Sequence, residues 1–506
     1  MTDNANLYAH FQQHFPADLK TQLLVTADGR SVTYGEAAEA SSRIADTLLK
    51  RGATTGDRVT VQVKKSAENL FLYLACLRVG LVYHPLNTAY KASELAYFLG
   101  NAEPTIVICD SDSIPTMESV LPENGVKALL TLDKDGGGTL MALAAGANTE
   151  IAVAQCKGTD MAALLYSSGT TGQPKGIMLS HDNLRKNTET LVEVWGFSAS
   201  DRLLHMLPIY HVHGLFIGVG CVLLSSASMV WHRGFNDEAA IAALPDCTTM
   251  MGVPTFYTRL LANPNFGRDC CANMRLFISG SAPLLTETFT AFKVRTGHTI
   301  LERYGMSETG MNTSNPLKGE RRPGTVGPAL PGVTVRVADE AGAAVAIGET
   351  GDLQVKGPNV FPGYWRMPER TAEDFSANGF FNTGDKATID ADGYVSIVGR
   401  AKDMVITGGL NVYPKEIELV IDDIKGVKES AVIGVPHADF GEAVIAVIVP
   451  DSADLHTGVP TAEEIIAHCK TQLADFKAPK RVEVIDTLPR NAMGKVQKNR
   501  LREQYS

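Results

Sequence analysis

The stretch from Ser167 to Gly176 has the residue types needed to hold phosphate oxygens. It reads Ser-Ser-Gly-Thr-Thr-Gly-Gln-Pro-Lys-Gly and follows the apolar run 162–166, which predicts a short buried strand. Glycines let the backbone approach a ligand closely, and hydroxyls with successive N–H groups can surround the oxygens of a triphosphate. Lys175 adds a compact positive charge. The composition therefore predicts a phosphate-binding loop.

Two other interpretations of this loop fit less well. A flexible Ser/Gly linker does not explain the apolar segment before the loop or Ile177-Met178-Leu179 after it. A Walker A loop needs Gly-Lys-Ser/Thr in succession, whereas Gln173 and Pro174 separate Gly172 from Lys175. The loop residues predicted to bind phosphate are Ser167, Ser168, Gly169, Thr170, Thr171, Gly172 and Lys175.

Alternating helical and strand patterns must position this loop. Between residues 33 and 110, for example, the strand-like run 58–63 is followed by helical spacing in 69–79. Such alternation predicts mostly parallel sheets covered by helices. We therefore expect an α/β fold with a large N-terminal domain over 1–400 and a small α+β domain over 401–506.

Composition and charge exclude several classes of protein. A chain of 506 residues is too long for one core, and a net charge of −10 argues against a nucleic-acid-binding surface. We expect a cytoplasmic protein without a membrane span, because no long apolar run or export signal is present. The eight cysteines form no Cys-x-x-Cys pair. His211 and His213 have no visible third metal ligand.

Later segments place small or polar residues directly after apolar runs. Gly280-Ser281-Ala282-Pro283 follows the strand-like run 276–279, and Tyr304-Gly305-Met306-Ser307-Glu308 follows 299–303. Glu308 suits Mg²⁺, which prefers one or two carboxylates together with phosphate oxygens.

These motifs resemble the signatures of the adenylate-forming superfamily, which contains acyl-CoA synthetases, firefly luciferase and peptide-synthetase adenylation domains. The loop at 167–176, the segments 280–283 and 304–308, Asp385 and Lys495 follow in the order of that superfamily. The resemblance implies that ATP, with Mg²⁺, activates a carboxylate as an acyl-adenylate, which then reacts with the thiol of coenzyme A.

The resemblance also implies roles for individual residues. Tyr304 would stack on adenine, Ser307 would contact the α-phosphate, Glu308 would hold Mg²⁺, and Asp385 would accept both ribose hydroxyls. The turn 280–283 would pack against the base, which requires small residues. The other implied ATP-binding residues are Ser281, Ala282, Glu302, Gly305, Met306 and Arg400.

In the superfamily the small domain is mobile and rotates between the two half-reactions. Lys402 falls at the hinge position, and Gly408 and Gly409 match the loop that lines the coenzyme A tunnel. Lys495 matches the mobile catalytic lysine. A lysine on such a loop could also be modified by a lysine-acylating enzyme, which would remove its charge.

Two arginines favour an acid with a second carboxylate, which a guanidinium can bind bidentately. Arg259 and Arg303 lie where an apolar pocket lining is expected. Over nearly the full chain the resemblance is strongest to malonyl-CoA synthetases, notably in 208–216 and 301–312. It implies that His211, Arg259 and Arg303 line a malonate site and that His211 takes part in catalysis.

Three alternatives remain open at this point. The chain could ligate another short acid, either methylmalonate or a monocarboxylic acid such as propionate or acetate, and for a monocarboxylic acid both arginines would be structural. A nucleotide-binding scaffold without turnover is disfavoured by the joint presence of Lys175, Glu308, Asp385 and Lys495. A carrier-loading domain is disfavoured because the sequence has no flanking carrier domain and no phosphopantetheine serine motif.

Overall fold

The computed structural model describes residues 4–167, 174–282, 284, 286–339, 341–400, 405–412, 414–451, 460–489 and 496–506, without the side chains of 398–400, 411, 415 and 419. The chain forms two compact units. The first comprises Met1–Thr88, Leu99–Leu165 and Gly176–Gly399; the second comprises Ala89–Phe98, Tyr166–Lys175 and Arg400–Ser506. The sequence prediction did not assign the segments Ala89–Phe98 and Tyr166–Lys175 to the smaller unit.

Strands are present at the apolar runs 58–63, 162–166 and 276–279, as the sequence predicted. In chain order they are β1 (Gln22–Thr26), β2 (Ser31–Thr33), β3 (Arg58–Gln62), β4 (Val82–Pro85), β5 (Ile106–Cys109), β6 (Ala128–Thr131), β7 (Met161–Ser167), β8 (Lys175–Ser180), β9 (Arg202–His205), β10 (Ser228–Trp231), β11 (Thr249–Gly252), β12 (Leu276–Ser279), β13 (Leu301–Met306), β14 (Gly310–Ser314), β15 (Thr334–Ala338), β16 (Gly351–Lys356), β17 (Phe381–Ile389), β18 (Val395–Arg400), β19 (Val405–Thr407), β20 (Leu410–Val412), β21 (Val427–His437), β22 (Gly441–Pro450) and β23 (Arg481–Val484).

The helices show the end signals expected from their sequences. Thr33 and Glu36 form a capping box at the start of the second helix, as Ser180 and Asn183 do at the seventh. The α-helices are α1 (Leu7–Gln13), α2 (Tyr34–Lys50), α3 (Ala67–Arg78), α4 (Ala92–Ala102), α5 (Ile114–Glu118), α6 (Thr139–Ala144), α7 (His181–Trp195), α8 (Gly220–Ser225), α9 (Asp237–Ala243), α10 (Pro254–Ala262), α11 (Thr286–Thr296), α12 (Pro368–Asp374), α13 (Pro414–Asp422), α14 (Ala462–Gln472) and α15 (Lys498–Tyr505). A π-helical segment spans His213–Val219.

Two mostly parallel sheets build the first unit, which confirms the predicted α/β class. The eight-stranded sheet has the order β14-β13-β12-β11-β9-β10-β1-β2, and the pairs from β13 to β1 are parallel. The six-stranded sheet has the order β6-β5-β3-β4-β7-β8. The four residues of β11 and of β12 are all buried, as is typical of strands covered on both faces. Parallel strands end at one edge, so the segments after β9, β12 and β13 lie together.

A four-stranded antiparallel sheet, β15-β16-β17-β18, completes the first unit. The second unit is built on β20-β19-β22-β21, with β23 paired to β22. Its helices and sheet enclose a core that includes Ile417, Val432, Val444 and Ile465. This unit is the small α+β body expected from the sequence. In the described part of the chain, no helix is long and apolar enough to cross a membrane.

An ion pair lies at the amino-terminal ends of β9 and β12. The segments that follow the carboxyl-terminal ends of these strands contain candidate site residues. Asp201, 2% exposed, precedes β9, and Arg275 precedes β12. The Nε and Nη2 atoms of Arg275 donate to the two carboxylate oxygens of Asp201 at 2.6 and 2.8 Å. Thr248, which precedes β11, donates its hydroxyl to the same carboxylate at 2.8 Å. Burial alone would raise the pKa of Asp201, but the hydrogen bonds from Arg275 and Thr248 outweigh it and lower the pKa.

We predict that Asp201→Asn lowers the free energy of unfolding by about 2 kcal/mol, because it removes charge-assisted hydrogen bonds to a buried carboxylate. A lowered pKa means that this stabilisation is complete above the unfolded-state pKa and declines as the pH falls below about 4. Urea denaturation at pH 7 and at low pH measures both effects. Asp112→Asn, at an exposed aspartate, is the matched control. Equal stability of the two variants at pH 7 would contradict the assignment.

Candidate active site

The predicted phosphate loop lies between two paired strands, with Ser167 ending β7 and Lys175 beginning β8. Both residues are half-buried. The predicted loop residues 168–173 lie outside the described residues, as do the hinge residue Lys402 and the catalytic candidate Lys495; the side chain of Arg400 is also not described. The strand predicted before the loop is confirmed, while the roles of these residues remain predictions.

The two residues predicted to hold adenosine are in contact. The Tyr304 hydroxyl donates to Asp385 Oδ2 at 2.5 Å, although the residues are 81 positions apart. Asp385 is 2% exposed and lies on β17. Gly305 lets β13 and β14 meet here, because a Cβ at that position would lie 2.0 Å from the Gly310 carbonyl oxygen. Adenine-stacking and ribose-binding candidates therefore converge on one place.

Glu308 is buried beside an aromatic hydroxyl and a second carboxylate. The Tyr364 hydroxyl lies 3.5 Å from Glu308 Oε1 and 3.1 Å from Asp374 Oδ2. The described residues contain no cluster of three or more His, Cys, Asp or Glu that could hold a metal alone. A single buried carboxylate fits Mg²⁺ that takes its remaining ligands from phosphate oxygens and water. Ser307 lines a cavity together with Val212 and Phe216, which connects this region to the loop that carries His211.

The turn after β12 is held by a buried carboxyl group. Glu302 Oε1 accepts the backbone N–H of Leu284 at 3.1 Å, and its Oε2 has no hydrogen-bond partner among the described residues. Burial raises the pKa of Glu302 to about 7. Within the turn Ser281 has a φ of +69°, which a non-glycine residue rarely adopts. The segment after β12, which includes Ser281 and Ala282, is therefore held at Leu284 by Glu302 on β13.

Arg303 points into this region as a buried guanidinium. It is 3% exposed, and its Nε and Nη2 atoms have no hydrogen-bond partner among the described residues. Burial lowers its pKa to about 10, so it remains charged at neutral pH. Gly280 provides the space, because a Cβ there would lie 2.3 Å from the Arg303 Cζ atom. The small residue at 280 therefore accommodates Arg303, which was predicted for the acid site, while the packing of this turn against adenine stays a prediction.

His213 is a site residue that the sequence did not single out. It is buried, its Nδ1 lies 3.4 Å from the Ser281 hydroxyl, and its Nε2 has no hydrogen-bond partner in the described part of the chain. Burial, and then the positive charge of Arg303, hold its pKa well below the usual value, so the imidazole is neutral. His211 is exposed and packs on Tyr210 with ring centroids 4.7 Å apart. The sequence signal that could have indicated His213 is its position two residues after His211.

Arg259 lies elsewhere. It is exposed on α10 and borders a surface cleft with Asp237 and Asn263. Helical spacing explains the position, because α10 buries Tyr257 and Leu260 and therefore turns residue 259 outward. No described contact brings it to His211 or Arg303, so its expected place in the acid site is not supported by its position.

Gly408 and Gly409 form the two-residue turn of a hairpin between β19 and β20. Their φ angles are +57° and +77°, which only glycine adopts readily. Two positive φ angles are the requirement of a tight hairpin turn whose twist matches its strands. The turn belongs to the second unit, as predicted for the coenzyme A loop.

Comparisons with known proteins extend over nearly the whole chain. The family model for AMP-binding enzymes matches residues 12–365, and the model for the C-terminal domain of AMP-binding enzymes matches 416–495. The crystal structure of ATP-bound MatB from Rhodopseudomonas palustris is 51% identical, covers 99% of each chain and has a TM-score of 0.79.

Two curated relatives differ in the acid that their names state. A malonate–CoA ligase of Arabidopsis thaliana is 34% identical over 95% of this chain and 86% of its own. A feruloyl-CoA synthase of Amycolatopsis sp. is 32% identical over 94% of each chain.

We predict that Asp385→Ala weakens ATP binding at least about tenfold, because hydrogen bonds to a buried charged group contribute about 1.5–3 kcal/mol each. Titration calorimetry with a non-hydrolysable ATP analogue measures the change. Tyr304→Phe keeps the aromatic ring and removes only the hydroxyl that contacts Asp385, so we expect it to bind the analogue as the wild type does. Unchanged affinity in a folded Asp385→Ala variant would show that this carboxylate does not bind ribose.

Proposed function

Since this chain belongs to the AMP-binding enzyme family, we propose that it ligates malonate to coenzyme A through a malonyl-adenylate, releasing AMP and pyrophosphate. Its membership and relatives make it an acid–CoA ligase that uses ATP and works through an adenylate. The identity of the acid is the proposal, because relatives of similar identity are named for malonate and for ferulate.

One observation carries the choice of malonate: the Nε and Nη2 atoms of Arg303 are buried and have no hydrogen-bond partner among the described residues. The same chain shows what this edge of a guanidinium binds, because Arg275 holds both oxygens of Asp201 through its Nε and Nη2 atoms. A carboxylate is therefore the group that fits Arg303, and no described residue supplies one.

A dicarboxylic acid meets both needs of the site. One carboxylate must remain free to attack the α-phosphorus of ATP, and the other can pair with Arg303. An acid with one carboxylate would leave the guanidinium unpaired, as it is in the free enzyme, and would gain none of the free energy that pairing a buried charge provides. The neutral imidazole of His213, with its buried Nε2 atom, offers a second polar contact beside Arg303. We place His211 at the entrance to this site, because it is exposed.

The two steps assign roles to the remaining residues. A carboxylate oxygen of malonate attacks the α-phosphorus, and pyrophosphate leaves; the thiolate of coenzyme A then attacks the acyl carbon, and AMP leaves. We assign the phosphate contacts to Ser307, Lys175 and the loop 168–173. Glu308 would hold Mg²⁺, which supplies positive charge to the phosphate oxygens.

The second unit contributes to both steps in this proposal. Lys495 stabilises charge on the α-phosphate during adenylation, and rotation about Lys402 then brings in the Gly408–Gly409 turn for the reaction with coenzyme A.

Methylmalonate is the second candidate, because it presents the same two carboxylates to Arg303. Val212 is the residue that would meet its methyl group, since this buried side chain lines the cavity shared with Ser307. Propionate and acetate lack the second carboxylate and are the informative comparisons.

The direct test is the release of pyrophosphate with malonate, methylmalonate, propionate, acetate and benzoate. We expect kcat/KM to be highest for malonate, and far lower for the three monocarboxylic acids because they leave Arg303 unpaired. A propionate or acetate value equal to that of malonate would overturn the proposal.

Arg303→Met should lower kcat/KM for malonate about 100-fold, or roughly 2.7 kcal/mol, which lies in the range measured for truncating a buried charged partner. Activity on propionate should change less than about threefold, because propionate makes no contact with the guanidinium. Arg268→Met, at an exposed arginine, is the matched control. Equal losses on malonate and propionate in Arg303→Met would show that the residue is structural.

Gly280→Ala tests the same contact from the other side. The added methyl group would lie 2.3 Å from Arg303 Cζ and must displace the guanidinium. We expect KM for malonate to rise at least about tenfold while KM for ATP stays within about threefold. Gly267→Ala is the control, because no heavy atom lies within 4 Å of a Cβ there. An unchanged KM for malonate would place the acid away from Arg303.

A further inference from the structure

Lys65 is a buried lysine without a carboxylate partner among the described residues. It is 7% exposed and lies just before α3. Its Nζ atom is 2.7 Å from His205 Nδ1, 3.0 Å from the His205 carbonyl oxygen and 2.9 Å from the Leu207 carbonyl oxygen. A lysine ammonium has three N–H donors, and the three positions around this atom are thus all occupied.

The hydrogen bonds of the neighbouring histidine determine how many protons the pair holds. His205 Nε2 lies 2.9 Å from the Gly214 carbonyl oxygen, which can only accept, so Nε2 carries a proton. The contact between Nζ and Nδ1 also needs one proton, on either atom. Because the two carbonyl oxygens can only accept, donation to both of them together with the Nδ1 contact gives the pair a single positive charge in either arrangement. A second charge is disfavoured, because burial lowers the pKa of Lys65, and burial and then Lys65 lower that of His205.

The surroundings of this charge are dipoles and an aromatic face. Lys65 Nζ lies 4.2 Å from the centre of the Trp231 ring, and the His205 ring packs on the same tryptophan at 4.6 Å. Gly218 leaves room for the imidazole, since a Cβ there would lie 3.2 Å from His205 Nε2. A cation held in this way keeps its field for other groups, because none of the described contacts of Lys65 Nζ is with an anion.

The pair of Lys65 and His205 contacts the backbone at both ends of the loop 205–214, which borders the proposed acid site. The carbonyl groups that the pair binds belong to His205, Leu207 and Gly214, and they bracket the segment that carries His211 and His213. The pKa of His213 is lowered by burial first, then by Arg303, and then by His205. The fields of Arg303 and of His205 therefore reach the same imidazole.

We propose that Lys65 and His205 are positioning residues that determine acid specificity: their shared charge anchors the loop 205–214 and adds positive potential to the site, which favours an acid with a second negative charge. The inference rests on the proposed function and extends it to residues that do not touch the substrate.

The test compares malonate with propionate in the full-length enzyme, by kcat and KM for each acid. Lys65→Gln keeps donors for two carbonyl groups and removes the charge. We expect KM for malonate to rise about tenfold, with kcat and the propionate values within about threefold of the wild type. The neighbouring Lys64→Gln is the matched control, because Lys64 is 52% exposed and we expect no change.

Two further variants separate charge from loop anchoring. Lys65→Arg keeps the charge, and His205→Gln keeps an amide donor for Gly214 while leaving the charge on Lys65. We expect both to retain the malonate preference within about threefold, even where kcat falls for both acids. Lys65→Met removes the same charge and takes the place of Lys65→Gln, with the same expected result, should that variant fail to fold.

The outcomes are distinct. Loss of the malonate preference in Lys65→Gln alone supports the proposal. Its retention in Lys65→Gln, or its loss in either charge-retaining variant, overturns the charge assignment and leaves the proposed function standing. A wild-type enzyme that does not prefer malonate over propionate overturns the proposed function and this inference with it.

Discussion

The candidate site contains a guanidinium, that of Arg303, which the fold itself removes from water. Burying a charge without a partner costs free energy that the rest of the fold must supply. The parallel pairing of β12 and β13 places Arg303 against the backbone of Gly280, where only a hydrogen atom fits. Burial first, and then the charge of Arg303, lower the pKa of His213 and keep this imidazole neutral. Preorganisation of this kind is a general means of binding and catalysis.

In the eight-stranded sheet, the charged side chains at the two ends of the strands are paired differently. At the amino ends of its strands, Arg275 is satisfied by Asp201 within the protein. At the carboxyl ends, Arg303 and the pair of Lys65 and His205 have no carboxylate partner among the described residues. A carboxylate therefore pairs with the arginine at the amino ends of the strands, whereas the positive charges at the carboxyl ends, where open parallel sheets bind ligands, have no carboxylate partner among the described residues.

Sequence patterns predicted the elements well and the site in part. Helix α3 and strands such as β12 have local signals in apolar spacing, and Arg303 was noticed because a charge stands where an apolar pocket lining was expected. Arg259 was noticed for the same reason; burial of Tyr257 and Leu260 turns it outward on α10, and its role in the acid site stays a prediction. Lys65 was missed because its partner is 140 residues away, and no local pattern reports a contact formed only by sheet topology.

The contact between Gly280 and Arg303 constrains how this enzyme family can change its acid. While the arginine is present, a Cβ at 280 would lie 2.3 Å from its Cζ atom, so a larger residue there must displace the guanidinium. Once the arginine is replaced by a smaller residue, the same larger residue at 280 can fill the vacated space and gain packing contacts. The effects of substitutions at 280 and 303 are therefore not additive, and under the proposed role of Arg303 a change toward uncharged acids costs less when position 303 changes before position 280.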